Sequence, residues 1–296
     1  MRLGSGSNPA LVILEEKMKI DIMICTKDRP SEIGLLLQSL RSQTHQDWDL
    51  FIMDDRSGTP LTNHHFIRCL INLLKQENHR VFVLREEQTR YGVTKLRQKL
   101  VDKIMKIGQG ESILRLDDDN ILNSDYVEKL VDTLNAGYDI ASGLVPVAFQ
   151  PTPKRETKFV KPFIADIKLN KEGLIESFGD DCGWEYIESE IIPSPHFRSM
   201  ALIRKSVHEK VKYGSSIGFC SFREEEFFSF RAIIAGFKIA VHTGAIAYHL
   251  LTPSGGERTP EFQNNLDFNH GLLNKFTQEL FRENGDFIAK YKEQFK

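Results

Sequence analysis

The chain has no Cys-x-x-Cys pair, no Gly-x-Gly-x-x-Gly after its first apolar run and no Gly-x-x-x-x-Gly-Lys-Ser/Thr loop. Each absence removes a class of protein: paired-thiol sites, dinucleotide folds of the usual sort and P-loop ATPases. The four cysteines, Cys25, Cys69, Cys182 and Cys220, are widely spaced. That reads as reduced, mostly buried thiols in a cytoplasmic chain, with two bridges as the alternative that four thiols allow. No apolar run approaches the roughly 20 residues that cross a bilayer. Residues 1–9 lack the apolar core of a secretion signal. Charge of either sign is not in excess, with 39 Lys and Arg against 41 Asp and Glu. Nucleic acid is therefore not the expected partner. An acceptor at the inner face of a membrane, met by peripheral contact, stays compatible with all of this.

What the chain does have is alternation. Residues 19–25 are a β-rich run, and residues 31–42 carry Ile33, Leu36, Leu37 and Leu40 at helical period, with Ser31 placed to cap them. Strands are expected at 49–53, 80–85, 111–116 and 139–149, and helices at 66–75, 93–107 and 125–134. Such alternation implies a mostly parallel sheet joined by right-handed crossovers, and ligands beyond the carboxyl ends of its strands. Three polar clusters lie at such ends: residues 26–29, 54–57 and 117–120. After Phe149 the pattern changes. Residues 150–162 read as a Pro- and Lys-rich boundary, and 163–194 as meandering strands and loops. Residues 197–203 are strand-like, 224–235 a helix ended by Gly236, and 237–241 and 245–248 two strands. Residues 252–260, rich in Gly, Pro and Thr, read as a mobile loop, and 261–296 as mainly helical.

Asp117, Asp118 and Asp119 follow an apolar strand directly. Three adjacent carboxylates repel one another, and a divalent cation shared with substrate phosphates is the usual remedy. The alternative is an acidic turn ahead of the helix near Ser124. Asp54 and Asp55 end another strand, suited either to a nucleoside hydroxyl or to a simple turn. Glu224, Glu225 and Glu226 open a helix, where acidic residues complement the dipole. One of them is also placed to be a general base, and the residues alone do not separate Glu224 from Glu225. His249, at the end of a strand, reads as a metal or diphosphate ligand or as a structural histidine. Arg90, Lys95, Arg97 and residues 254–258 are cationic or flexible partners for a diphosphate.

In order and spacing these segments resemble a family 2 glycosyltransferase, with the GT-A fold. The resemblance runs from Ile22-Met23-Ile24-Cys25-Thr26-Lys27-Asp28-Arg29-Pro30 through Leu50-Phe51-Ile52-Met53-Asp54-Asp55, Tyr91-Gly92-Val93-Thr94-Lys95-Leu96-Arg97 and Leu116-Asp117-Asp118-Asp119. It continues at Met200-Ala201-Leu202-Ile203, Glu224-Glu225, Ala235-Gly236-Phe237 and His249. The acidic pair departs from the Glu-Asp of most relatives. The resemblance implies a mixed, mostly parallel sheet flanked by helices, with a C-terminal helical extension. Residues 19–149 would be the nucleotide-sugar half, 150–260 the acceptor half of the same domain, 1–18 an extension and 261–296 a helical segment. It implies inverting transfer from a UDP- or GDP-linked sugar to a carbohydrate or other hydroxyl-bearing acceptor, with Mn²⁺ or Mg²⁺. Thr26, Asp28, Arg29, Asp55, Arg97, Asp117 and Asp118 would bind the donor. Asp119 and His249 would hold metal, Asp117 would contact metal or ribose, and Glu225 would be the base, with Glu224 its neighbour in that role. Asp180, Asp181 and Trp184 are expected to touch the acceptor, core packing being the alternative for Trp184. The rivals are a sugar-phosphate nucleotidyltransferase, which lacks its Gly- and basic-rich loop here, and a non-catalytic nucleotide-sugar-binding protein.

Overall fold

The computed structural model describes residues 18–87, 92–160, 162–179, 181–214, 222–253, 255 and 262–296, with the side chains of 262–265 excepted. The first half alternates as expected: β1 (Ile20–Thr26), α1 (Pro30–Arg41), β2 (Trp48–Asp55), α2 (His65–Gln76), β3 (Val81–Glu86), α3 (Val93–Ile107) and β4 (Ser112–Asp117). β1 pairs in parallel with both β2 and β4, and β2 with β3. A short β5 (Asn120–Leu122), α4 (Tyr126–Asn135) and β6 (Ile140–Leu144) follow.

The second half opens with four short strands, β7 (Lys154–Arg155), β8 (Ile167–Leu169), β9 (Ile175–Phe178) and β10 (Glu185–Tyr186). It then returns to the main sheet through β11 (Ile191–Pro193), β12 (Ala201–Arg204) and β13 (Ile239–His249), with α5 (Lys205–Lys210) and α6 (Glu224–Ile234) between the last two. Helices α7 (Phe262–Asn284) and α8 (Phe287–Glu293) close the chain. The main sheet runs β11-β13-β6-β12-β4-β1-β2-β3, with β5 paired to β13 off that path. β12 is antiparallel to both neighbours, β4 and β6, whereas β13 is parallel to β6.

Alternation along each strand divides the core in two. Ile20, Ile22, Ile24, Leu50, Ile52, Leu114 and Leu116 pack with α1, α2 and α4 on one face. Met23, Phe51, Met53, Ile113 and Ile203 pack on the other with α3, α6, α7 and α8. A third cluster seats residues 160–192 on the sheet through Val160, Ile164, Cys182 and Tyr186 against Leu144 and Val241. The last helix is pinned by one hydroxyl: Tyr291 Oη accepts from Ile239 N–H at 2.8 Å and donates to Ile239 C=O at 2.9 Å.

Several boundaries differ from expectation. The N-cap of α1 is Arg29 and not Ser31, because Pro30, which has no N–H to satisfy, already occupies the first turn. β6 stops at Leu144, well short of Phe149, since Val145 N–H turns away to Cys182 C=O. The two strands expected at 237–248 are one strand, β13, carrying an irregularity between Val241 and Ile246. The 197–203 run is a strand only from Ala201, and α5 and β5 were not anticipated. Cys25, Cys69 and Cys182 are free thiols, and Cys69 is exposed rather than buried. Cys220 lies outside the described residues. Among the described residues no helix is long and apolar enough to cross a membrane.

Candidate active site

The parallel strands deliver their carboxyl ends to one level. Thr26 is opposite Asp54 across β1 and β2, and Cys25 opposite Asp117 across β1 and β4. Beyond these ends opens a cavity of about 690 Å³, within the range of small-molecule sites. One part of its wall is Thr26, Arg29, Asp55, Arg97, Asp117, Asp118, Asp119 and His249. Another is Phe178, His196, Phe222, Arg223, Glu225 and Glu226. Most residues singled out from the sequence therefore share one cavity.

The aspartates are bound differently from one another. Asp117 accepts from Arg97 Nη2 at 2.5 Å and from the Ser199 hydroxyl. Asp118 accepts from Thr26 Oγ1 and from Arg29 Nη1, both at 2.8 Å. Burial pushes its carboxyl up to about 6, with Arg29 opposing and Asp119 adding to the rise. Asp119 has Arg29 Nη1 at 3.2 Å and His249 Nε2 at 3.3 Å. Its burial favours the neutral acid, but the His249 contact and the Arg29 charge outweigh that and hold it below the usual carboxylate range. The pairing responsible is β5 with β13, which puts His249 opposite Asn120, while Leu250 N–H bonds Asp119 C=O at 2.9 Å.

A divalent cation fits this corner. Among the described residues Asp119 Oδ2 is buried with the Arg29 charge at 3.2 Å and no hydrogen bond of normal geometry, and an imidazole nitrogen stands beside the other oxygen. Among the described residues no three carboxylate, imidazole or thiol groups already converge as a cation cage. One carboxylate and one imidazole, completed by phosphate oxygens and water, is the arrangement expected where the ion arrives with its substrate. Asp117 is not drawn into the Asp119–His249 pair, since Arg97 and Ser199 engage its two oxygens.

Adjacent acids separate by strand and helix geometry. Asp54 accepts from the N–H groups of Ser57 (2.8 Å) and Leu61 (3.0 Å) and from Arg85 (2.8 Å), so it builds the turn after β2. Asp55, one residue on, faces the cavity. Asp28 lines a smaller neighbouring pocket with Ser57, Thr59 and His64, and accepts from Gly58 N–H at 2.6 Å. Glu224 is buried, ion-paired with Arg97 and with Arg115 at 2.7 Å, and accepts from Thr94 Oγ1 at 2.6 Å. Glu225 lines the cavity, with Oε1 2.5 Å from Arg115 Nη2. Burial raises the Glu225 carboxyl, and the Arg115 charge opposes the rise.

Other expectations fall away from the cavity. Lys95 is exposed, Trp184 packs against the third core cluster and beneath Arg155, and Asp181 accepts from Ala165 N–H at 3.2 Å. Arg90, Asp180 and most of 254–258 lie outside the described residues. The sequence reading gave no role to Arg115, Ser199 or Arg223. A signal existed for Arg115, a charge at a core-facing position of a buried strand. Ser199, Arg223 and Leu251, all on the cavity wall, adopt positive φ, the backbone strain that gathers at functional sites.

Comparison with known proteins agrees with this geometry. The family model described as glycosyl transferase family 2 matches residues 21–186. Protein CgeD of Bacillus subtilis (strain 168) is 26% identical over 116 residues, 38% of this chain and 25% of that protein. The crystal structure of GalNAc-T7 with UDP, GalNAc and Mn²⁺ superposes with a TM-score of 0.60 at 15% identity, over 82% of this chain and 45% of that one. TarS of S. aureus, residues 1–349, gives a TM-score of 0.52 at 15% identity, over 79% of this chain and 60% of that one. The chain thus spans a quarter of the curated relative and less than two thirds of these structures. The structural likeness shows a shared fold, with a mixed, mostly parallel sheet flanked by helices. With the model covering more than half of its 296 residues, the chain belongs to glycosyl transferase family 2.

Proposed function

We propose that the chain transfers a sugar from a nucleoside-diphosphate sugar to a hydroxyl acceptor by a single, inverting displacement. The observation that carries this is one cavity lined both by the Asp119–His249 pair and by Glu225. The carboxyl ends of β1, β2 and β4, with 19–149 as the donor half, hold the nucleotide through Thr26 and Asp55. UDP is the first nucleotide to try, since the GalNAc-T7 structure and a TarS structure at TM-score 0.50 are both complexes with it; GDP is the alternative. Asp119 and His249 would hold Mn²⁺ or Mg²⁺, which supplies charge neutralisation to a departing diphosphate. Arg29, Asp118 and Thr26 fix the Asp119 loop, and Arg97 with Ser199 holds Asp117, which would contact ribose.

The acceptor enters by the wall of Phe178, Phe222 and Arg223, contributed by the 150–260 half. Glu225 takes the proton of the acceptor hydroxyl as its oxygen attacks the anomeric carbon opposite the nucleotide. Glu224, fully engaged by Arg97, Arg115 and Thr94, anchors the helix start and leaves the proton transfer to Glu225. Glu225→Gln should keep nucleotide binding while transfer falls by about 10²–10⁴-fold. Undiminished product formation, followed by mass spectrometry across a donor-by-acceptor screen, would remove Glu225 as the base.

A further inference from the structure

We infer that Arg115 is a positioning residue for the base: its guanidinium bridges Glu224 and Glu225 and fixes Glu225 at the cavity wall. The inference rests on the reading of Glu225 given above. Arg115 belongs to β4, two residues before Asp117, so strand alternation turns both toward the α3 and α6 side of the sheet. Its side chain is 1% exposed, at a depth where an arginine is rare without charged partners. A single nitrogen, Nη2, lies 2.7 Å from Glu224 Oε1 and 2.5 Å from Glu225 Oε1. The rings of Phe197 and Tyr213 stand 5.7 Å from the guanidinium carbon and limit its movement.

The two glutamates are not equivalent in this bridge. Glu224 is also held by Arg97 and Thr94, so it retains partners without Arg115. Glu225 Oε1 has Arg115 as its hydrogen-bond partner, and the other Glu225 oxygen has none among the described residues. A carboxylate gripped by one oxygen presents the second for proton transfer.

The charges around Glu225 make the need for Arg115 plain. Burial first, then Glu226 on its own helix and Asp117 at the end of β4, favour the protonated acid, which cannot act as a base; Glu224 is the adjacent carboxylate on that helix. Tyr213 packs near the same group. Against these stand Arg115 and the more distant Arg97. Arg97 is further committed to Asp117 and Glu224. Arg115 is the cation in hydrogen-bond contact with Glu225, and the same residue ties the base to the strand that ends in the Asp117 turn.

The test titrates Glu225 directly by carboxyl-carbon NMR of the full chain, with the Glu225→Gln spectrum assigning the resonance. Arg115→Met should raise the Glu225 midpoint by about 1 unit or more, the size expected on losing an adjacent opposite charge. Arg115→Lys keeps the charge on a shorter side chain without the planar fork, and should move the midpoint much less. In parallel, UDP release is followed from UDP-glucose, UDP-N-acetylglucosamine and UDP-N-acetylgalactosamine with Mn²⁺, water serving as acceptor. Arg115→Met should lower kcat at neutral pH by about tenfold or more, leave the donor KM little changed, and move the acid limb of the pH–rate profile upward. Arg115→Lys should recover the limb and only part of kcat. If Arg115→Met does not fold, Arg115→Gln carries the same readings. An unmoved Glu225 midpoint, or a loss equal at every pH with the limb in place, would overturn the inference. Full UDP release by Glu225→Gln would instead defeat the base reading, and the NMR result would still stand on its own.

Discussion

Among single residues, a shift of one position along a strand or helix decides what a carboxylate does. Asp54 is spent on the turn after β2, and Asp55 reaches the cavity. Glu224 is locked between two arginines, and Glu225 opens on the cavity. The sequence placed both pairs at the site and could not divide them, because the dividing groups, Arg85, Arg97 and Arg115, come from other elements. His208 shows burial acting without compensation. It is fully buried beside Tyr213 and Phe228, neither ring nitrogen has a hydrogen-bond partner among the described residues, and burial pushes its imidazole down to about 3. The unfolded chain takes a proton at this residue below about pH 6.5, and the folded chain does so only near its own lower value. The unfolded state therefore binds more protons between the two, and stability falls as pH drops through that window. Urea unfolding at about pH 7 and about pH 4.5 should show His208→Leu losing less stability than the parent, by on the order of 2 kcal/mol. Parallel losses in the two proteins would contradict this origin.

At the scale of elements, the corner that holds Asp119 and His249 depends on how β13 meets its neighbours. β13 runs parallel to β6 at its start, shifts register between Val241 and Ile246, and then turns its end against β5. Gly143 of β6 permits the shift. A Cβ there would lie 2.3 Å from the Ala245 carbonyl oxygen and 2.7 Å from the Tyr126 ring. Backbone oxygen cannot swing aside as a side chain does, so Gly143→Ala should cost about 1–3 kcal/mol of stability. A thermal melt checks it, and an unchanged midpoint would show that the strands slide past one another freely. This arrangement was hidden in the sequence. α1 and α3 were legible because each buries a face set by its own residues, β1 and β2 because they are short apolar runs buried on both faces, and α3 was expected over 93–107, where it forms. β5 is three residues long and exists through its pairing with β13, so no local pattern announces it. Gly244 made β13 look like two strands, although the chain stays extended through it.

For the whole molecule, the sheet opens on the cavity at one edge. Parallel strands from the first half bring their carboxyl ends to it, and residues 178–179, 196–199, 222–223 and 225–226 from the second half wall it in. The helical C-terminus takes no part in that wall. It packs on the α6 side, where Phe227 stacks on Phe276 and Phe230 meets Phe287 edge-on. Helix α6 is thereby held between the cavity and the C-terminal helices, which fixes the start of the helix that bears Glu225. The order of clusters in the sequence was enough to indicate the family, because their spacing follows the strand order. The wall supplied by the second half was not legible, since its segments share no period and meet only in the fold.

The claim on which the account turns is that this edge is a nucleotide-diphosphate site completed by a cation at Asp119 and His249. Calorimetric titration of UDP and of GDP into the full chain, with Mn²⁺ and again after chelation, tests it most directly. The account predicts binding of one nucleotide in Mn²⁺, weakened by about tenfold or more, about 1.4 kcal/mol, once the ion is removed. Absence of binding by either nucleotide in the presence of Mn²⁺ would contradict it.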